Sequence, residues 1–144
     1  MASISTLYAD VNGTKTPLEI FPISSGWKEI STIKEPFKEG SVGGVTMGIQ
    51  YQKVGNIVYI RGLVGTTSDY DGSASVTLCT LPSGYRPTKK NEYRLCAMSG
   101  SNIARLLITT AGSFAIEWSR SLSNGQPLTG ALTWIDVSCN FIIN

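Results

Sequence analysis

The sequence predicts an all-β protein, an antiparallel β-sandwich of jelly-roll-like form. Three observations carry that reading. Apolar and polar residues alternate with a period of two through most of the chain, no ten-residue window holds a helical period, and turn residues punctuate the runs at regular spacing. The 144 residues fit one ordinary domain. A chain of this size buries about two-thirds of its unfolded surface.

Residues 1–25 read as an extended connector, because their apolar residues are too sparse to build a core. A small hairpin is expected around Asn12-Gly13, and Pro17 breaks the run that follows. Asn12-Gly13-Thr14 fits a glycosylation sequon, but the N-terminus lacks the basic start and apolar core of a signal peptide, so the match has little meaning. The head domain is expected over 26–144. Its first strand falls at Trp27–Ile33, followed by a charged loop, Lys34–Ser41, broken at Pro36. Glycines 40, 43, 44 and 48 read as a turn and bulge, since a phosphate loop requires a helix after it and a strand follows here.

The central hairpin pairs Val45–Lys53 with Ile57–Val64 across Val54-Gly55-Asn56, whose Gly and Asn tolerate positive φ. Met47, Ile49 and Tyr51 share one face of its first strand, and Val58, Ile60 and Val64 share one face of its second. Gly65–Ser73 is polar and aperiodic and reads as an exposed loop. Asp69-x-Asp71-Gly72 begins like a calcium loop, but Ala74 and Thr80 stand where that loop needs Gly and Glu. Val76–Leu81 is a strand, and Pro82–Pro87 is a turn between two prolines. Strands follow at Tyr93–Ser99, Ile103–Thr110 and Ser113–Ser119, the last two joined tightly at Ala111-Gly112. Ser121–Gly130 is a loop. The closing run, Ala131–Ile143, reads as the longest strand, with Ile135, Val137, Cys139, Phe141 and Ile143 on one face.

Composition narrows the function. Net charge is +2, and the densest basic cluster, Arg86, Lys89, Lys90 and Arg94, is interrupted by Glu92, so no nucleic-acid footprint is present. No apolar run approaches the roughly 18 residues of a membrane span, so no membrane insertion is expected. Synthesis in the cytoplasm is expected from the N-terminus. Cys79, Cys96 and Cys139 are far apart and read as unpaired thiols packed in strands. With no histidine and no C-x-x-C pair, the usual zinc ligands are missing and no metal or cofactor is expected. Nucleophilic catalysis lacks its usual histidine base. Asp69 and Asp71 lie on a flexible loop, and Glu117 and Asp136 read as surface charges on the faces opposite Trp118 and Ile135. No catalytic residue is nominated, and an enzyme is not expected.

Binding is better served. Asp69-Tyr70-Asp71 places a ring between two acceptors, which suits a sugar's apolar face and hydroxyls; the alternative is that Tyr70 anchors its loop. Trp134, with Asp136 two residues on, lies on the face opposite the aliphatic row of its strand and serves either a subunit interface or a ligand platform. Trp118 shares its face with Phe114 and Ile116 and reads as core. Leu132 and Trp134 behind Ile135 and Val137 give apolar residues on both faces, which predicts a homotrimer.

Tyr51-Gln-Lys-Val-Gly-Asn-Ile-Val-Tyr-Ile-Arg-Gly62, Thr80-Leu-Pro-Ser-Gly-Tyr-Arg-Pro87 and Ile135-Asp-Val-Ser-Cys-Asn-Phe141 together resemble the C-terminal domains of tail fibre, baseplate and minor structural proteins of phages and prophages of Gram-positive bacteria. The resemblance covers roughly residues 26 to 144, and the turn Leu81–Pro87 is its most specific part. It implies a trimeric β-sandwich or jelly-roll head at the tail tip of a virion. Such a head binds host cell-surface saccharide and sits among other tail or baseplate proteins. These heads share no fixed set of binding residues, so no site carries over by position. A carbohydrate-binding module or structural β-domain of a bacterial protein outside a phage is the competing reading. A small glycosidase is a third.

Overall fold

The computed structural model describes residues 7–11, 14–18 and 24–143, the first two as backbone alone. Fourteen strands and no helix occur among them, and no helix is long and apolar enough to cross a membrane. β1 (Leu7–Val11) and β2 (Thr14–Leu18) form a two-stranded antiparallel hairpin with Val11 opposite Thr14. The Asn12-Gly13 turn expected between them lies outside the described residues.

The remaining strands are β3 (Lys28–Glu29), β4 (Phe37–Val42), β5 (Val45–Met47), β6 (Gln50–Val54), β7 (Ile57–Arg61), β8 (Leu63–Thr66) and β9 (Val76–Thr80). They are followed by β10 (Glu92–Met98), β11 (Asn102–Ile108), β12 (Ser113–Ser121), β13 (Ile135–Asp136) and β14 (Cys139–Ile142). They make two antiparallel sheets. One has eight strands in the order β5-β4-β8-β13-β10-β11-β12-β9, and the other has four in the order β14-β7-β6-β3. The chain joins the smaller sheet already at Ser24 and Ser25, where the Ser25 N–H donates to the Lys53 carbonyl at 2.8 Å.

The alternation in the sequence becomes one shared core. Tyr51, Val58, Ile60 and Phe141 enter it from the four-stranded sheet; Val64, Leu78, Met98, Leu106, Ile108, Phe114, Ile116 and Ile135 enter it from the eight-stranded one. Each large aliphatic or aromatic side chain so buried stabilises the fold by about 1.5–3 kcal/mol before chain entropy is counted.

Three of the runs expected as single strands are broken, and each break moves the chain from one sheet to the other. The central hairpin divides at Gly48-Ile49 and at Gly62, so its turn end, β6–β7, belongs to the small sheet while β5 and β8 belong to the large one. The closing run divides at Val137-Ser138 in the same way, into β13 and β14. These corners meet. Gly62 has φ +152°, a Cβ there would lie 2.5 Å from the Gly48 carbonyl oxygen, and the Gly62 carbonyl accepts from the Val137 N–H at 3.0 Å. Strands that switch sheets need such bends, and glycine permits the approach. The inward face of the closing run nevertheless survives the break, with Ile135, Val137 and Phe141 buried.

Two further expectations are corrected. The first strand is only Lys28–Glu29, because residues 30–34 leave β6 and turn toward β9, where the Lys34 N–H donates to the Leu78 carbonyl at 2.8 Å. The loop expected over 34–41 is a strand from Phe37 onward, drawn into the sheet by pairing with β8 and by burial of the Phe37 ring. The glycines behave as expected of a turn: Gly43 and Gly44, at φ +58° and +79°, reverse the chain between β4 and β5.

Candidate functional site

Tyr70 does not face solvent. Its ring is 2% exposed, tilted against Phe37 at 5.5 Å between centroids, and its hydroxyl donates to Ser119 Oγ at 2.8 Å. Burial pushes its phenol above the usual range. A ring sealed in the core presents no stacking face to a sugar, so the loop is anchored by Tyr70 rather than equipped by it. The stretch 65–73 is correspondingly not a free loop: Gly65 and Thr66 belong to β8, and Asp71 bridges Thr129. Asp69 and Asp71 are exposed. The Asp71 carboxylate accepts from the Ser73 N–H at 2.8 Å, and that bond holds its acid below the usual carboxylate range.

Trp134 is half-buried just ahead of β13, where its carbonyl accepts from the Ser99 N–H at 3.0 Å. Asp136 caps the following corner by accepting from the Ser138 N–H at 2.9 Å. Leu132 packs against the core, so Leu132 and Trp134 do not build the exposed apolar patch expected of them.

Exposed aromatic chemistry lies elsewhere: at Trp27 ahead of β3, 39% exposed with the Arg61 guanidinium 3.9 Å from its ring, and on the outer face of β10, β11 and β12. Trp118 points outward because of a bulge. Leu106 pairs with Ile116 and Arg105 pairs with Trp118, so Glu117 is an extra residue that reverses the parity of the strand. Phe114 and Ile116 are therefore buried as expected, while Trp118 emerges half-exposed on the side of Arg105. The Arg105 guanidinium lies 5.2 Å from the Tyr93 ring and 5.6 Å from the Trp118 ring, and Glu117 Oε2 accepts from its Nε at 2.5 Å. The Arg120 guanidinium, 6.0 Å from the Trp118 ring, donates to the Gly125 carbonyl at 2.9 Å. Tyr93 is 47% exposed. Cations near ring faces, each worth about 0.5–1 kcal/mol at the surface, favour the observed orientation of both aromatics. The row thus combines two held rings with hydrogen-bonding charges on a rigid sheet. A sequence signal existed for Tyr93, since Tyr93, Leu95 and Ala97 are apolar on the face opposite buried Cys96 and Met98.

Local contacts hold each end of the turn Leu81–Pro87. Leu81 is buried, and Gly84 adopts φ +84° as the Tyr85 N–H donates to the Pro82 carbonyl at 3.2 Å. Arg86 Nε donates to the Leu81 carbonyl at 2.7 Å and fills the space a Cβ on Gly112 would occupy. Tyr85 meets Tyr51 edge-on at 4.7 Å, with Lys28 and Lys53 ammoniums 5.2 and 5.7 Å from its ring. The Lys28 ammonium at its hydroxyl, helped by Ser25, holds the Tyr85 phenol below its usual range and is itself raised in return.

The three cysteines are unpaired. Burial pushes each thiol up to about 12. Among the described residues no group of three or more His, Cys, Asp or Glu is placed to hold a metal ion. Comparison with protein-family models and with curated proteins yields no match.

Proposed function

We propose that this chain is a phage-tail receptor-binding or structural head, jelly-roll-like and homotrimeric at the tail tip, that recognises a host cell-surface saccharide without catalysis. The observation that carries the reading is the Tyr93–Arg105–Trp118 row on the outer face of β10–β12. Sugars offer C–H patches beside hydroxyls, and their sites pair exposed rings with charged donors and acceptors. Here Tyr93 and Trp118 supply the rings, while Arg105, Glu117 and Arg120 supply the polar groups. Strands hold all five in place, which lowers the ordering cost of binding. Asp69, Asp71 and Trp134 remain at the surface as secondary contacts, without Tyr70.

The trimer is supported by the β4–β5 hairpin at the edge of the eight-stranded sheet. Val42 pairs with Val45, and Met47 lies two residues on, so all three share one face, exposed by 46, 58 and 37%. An edge strand with an apolar face is ordinarily covered by a partner. A single weak site, with Kd near 1 mM or about 4 kcal/mol, gains strongly when three copies engage a repeating polymer. Retention on a panel of purified Gram-positive wall polysaccharides tests the function. Retention of the protein with no reducing ends released is expected, and release of sugar would overturn the non-catalytic reading.

A further inference from the structure

We infer that β1 of one copy adds as a strand to the free edge of β5 in the next copy, so that the N-terminal hairpin locks the subunits together. The inference rests on the homotrimer reading and names the two surfaces that meet. β1 and β2 form a sheet of their own, and among the described residues they pair with no other strand. A lone two-stranded hairpin is marginal in water, so it needs a surface to join. β5 stands at the end of the eight-stranded sheet, and every residue from Ser41 to Met47 is exposed.

Register decides which edges are open. In β4–β5, Val42 and Val45 close a two-residue turn and exchange main-chain bonds, as do Gly40 and Met47. Thr46 lies between those pairs, so its N–H and carbonyl face away from β4. The Ser41 N–H opposite it points the other way and donates to the Thr133 carbonyl at 3.3 Å. In β1–β2 the pairs Val11–Thr14 and Ala9–Thr16 exchange bonds, which turns the main-chain groups of Tyr8 and Asp10 outward on β1 and those of Lys15 and Pro17 outward on β2. Pro17 has no N–H, so β2 is blunted as an edge and β1 is the strand left to pair.

The faces agree with the edges. Setting Thr46 opposite Tyr8 in an antiparallel pair puts Val45 opposite Ala9 and Met47 opposite Leu7. The exposed apolar row of Val42, Val45 and Met47 then continues into Ala9 and Leu7, while Thr46 and Tyr8 share the other face. A slip of one residue would set this apolar row against Tyr8 and Asp10. The two surfaces differ, so the contact runs head to tail from copy to copy, as a closed ring of three requires.

The test is mild oxidation of the full chain carrying Ala9→Cys and Val45→Cys together, read on a non-reducing gel. The two positions would form a non-hydrogen-bonded pair with Cα atoms about 4.5 Å apart, within the span of a disulfide. Bands at two and three times 15.5 kDa are expected, and the parent chain should give neither. Thr46→Pro removes a donor that faces away from β4, and Tyr8→Pro removes its counterpart on β1 without touching the head. Each should shift the mass by light scattering from three times 15.5 kDa toward the single chain with the far-ultraviolet circular dichroism unchanged. A disulfide confined to single chains, or an oligomer whose mass neither proline variant alters, would overturn the inference. If the parent is a trimer in that case, only the hairpin assignment fails; if the parent is a single chain, the trimer reading fails with it.

Discussion

The Tyr70 hydroxyl donates a 2.8 Å hydrogen bond to Ser119 Oγ, joining the segment after β8 to the middle of β12. Both residues are buried, and a Cβ on Gly72 would collide with that same Ser119 oxygen. The Gly72 N–H donates to the Leu128 carbonyl at 2.8 Å and its carbonyl accepts from the Ser119 N–H at 2.9 Å, so the segment is stitched in by main chain as well.

Tyr70→Phe should therefore lower stability by about 1–3 kcal/mol, because it strands a buried hydroxyl. Tyr70→Ala should cost about 3–5 kcal/mol through the cavity it leaves. Chemical denaturation measures both. Polysaccharide retention by folded Tyr70→Phe should equal that of the parent chain, and a loss of retention would return this segment to the site.

Gly62→Ala tests the crossing of the two sheets. Its φ of +152° and the 2.5 Å approach to the Gly48 carbonyl leave no room for a methyl group. A loss of about 2–4 kcal/mol is expected from strain and displaced backbone. A change under 0.5 kcal/mol, on the order of an ordinary surface substitution, would contradict the corner geometry.

The fold class and most inward faces were legible because a period of two survives in the sequence: Val58, Ile60 and Val64 point inward as read, as do Ile135, Val137 and Phe141. The corners were not legible, since Gly48 and Val137-Ser138 do not interrupt the alternation that a straight strand would show. The bulge at Glu117 inverted the reading of Trp118, and a single extra residue leaves no compositional mark. The sequence left Tyr70 open between ligand contact and loop anchor because a polar stretch conceals a long-range partner, and Ser119 is 49 residues away.

The thiols set a pH dependence. All three have folded values of about 12 against an ordinary 9.0, so their contribution is fully present below pH 9 and is lost as pH rises toward 12. Each thiol removes up to about 1.4 kcal/mol per pH unit in that window. Burial of Tyr70 acts in the same direction above its ordinary value of 10.0. Denaturation midpoints should fall steadily above pH 9, and Cys96→Ala should flatten that fall. Thiol titration of the denatured, unreduced chain should find three free groups.

The trimer predicts a solution mass about three times 15.5 kDa by light scattering at micromolar concentration. Val45→Lys, which places a charge on the exposed face of the edge hairpin, should shift the mass toward the single chain without unfolding it. A parent protein of 15.5 kDa would remove the trimer.

The outer face of β10–β12 is tested most directly by calorimetric titration of the parent chain and of a Tyr93→Ala, Trp118→Ala double variant with the wall polysaccharide that retains the parent best. Stacking of a sugar's C–H face on an aromatic ring is an apolar contact, and two lost rings should weaken binding at least about tenfold. The account predicts that loss with the far-ultraviolet circular dichroism and solution mass unchanged. Equal affinity in the folded double variant would contradict it.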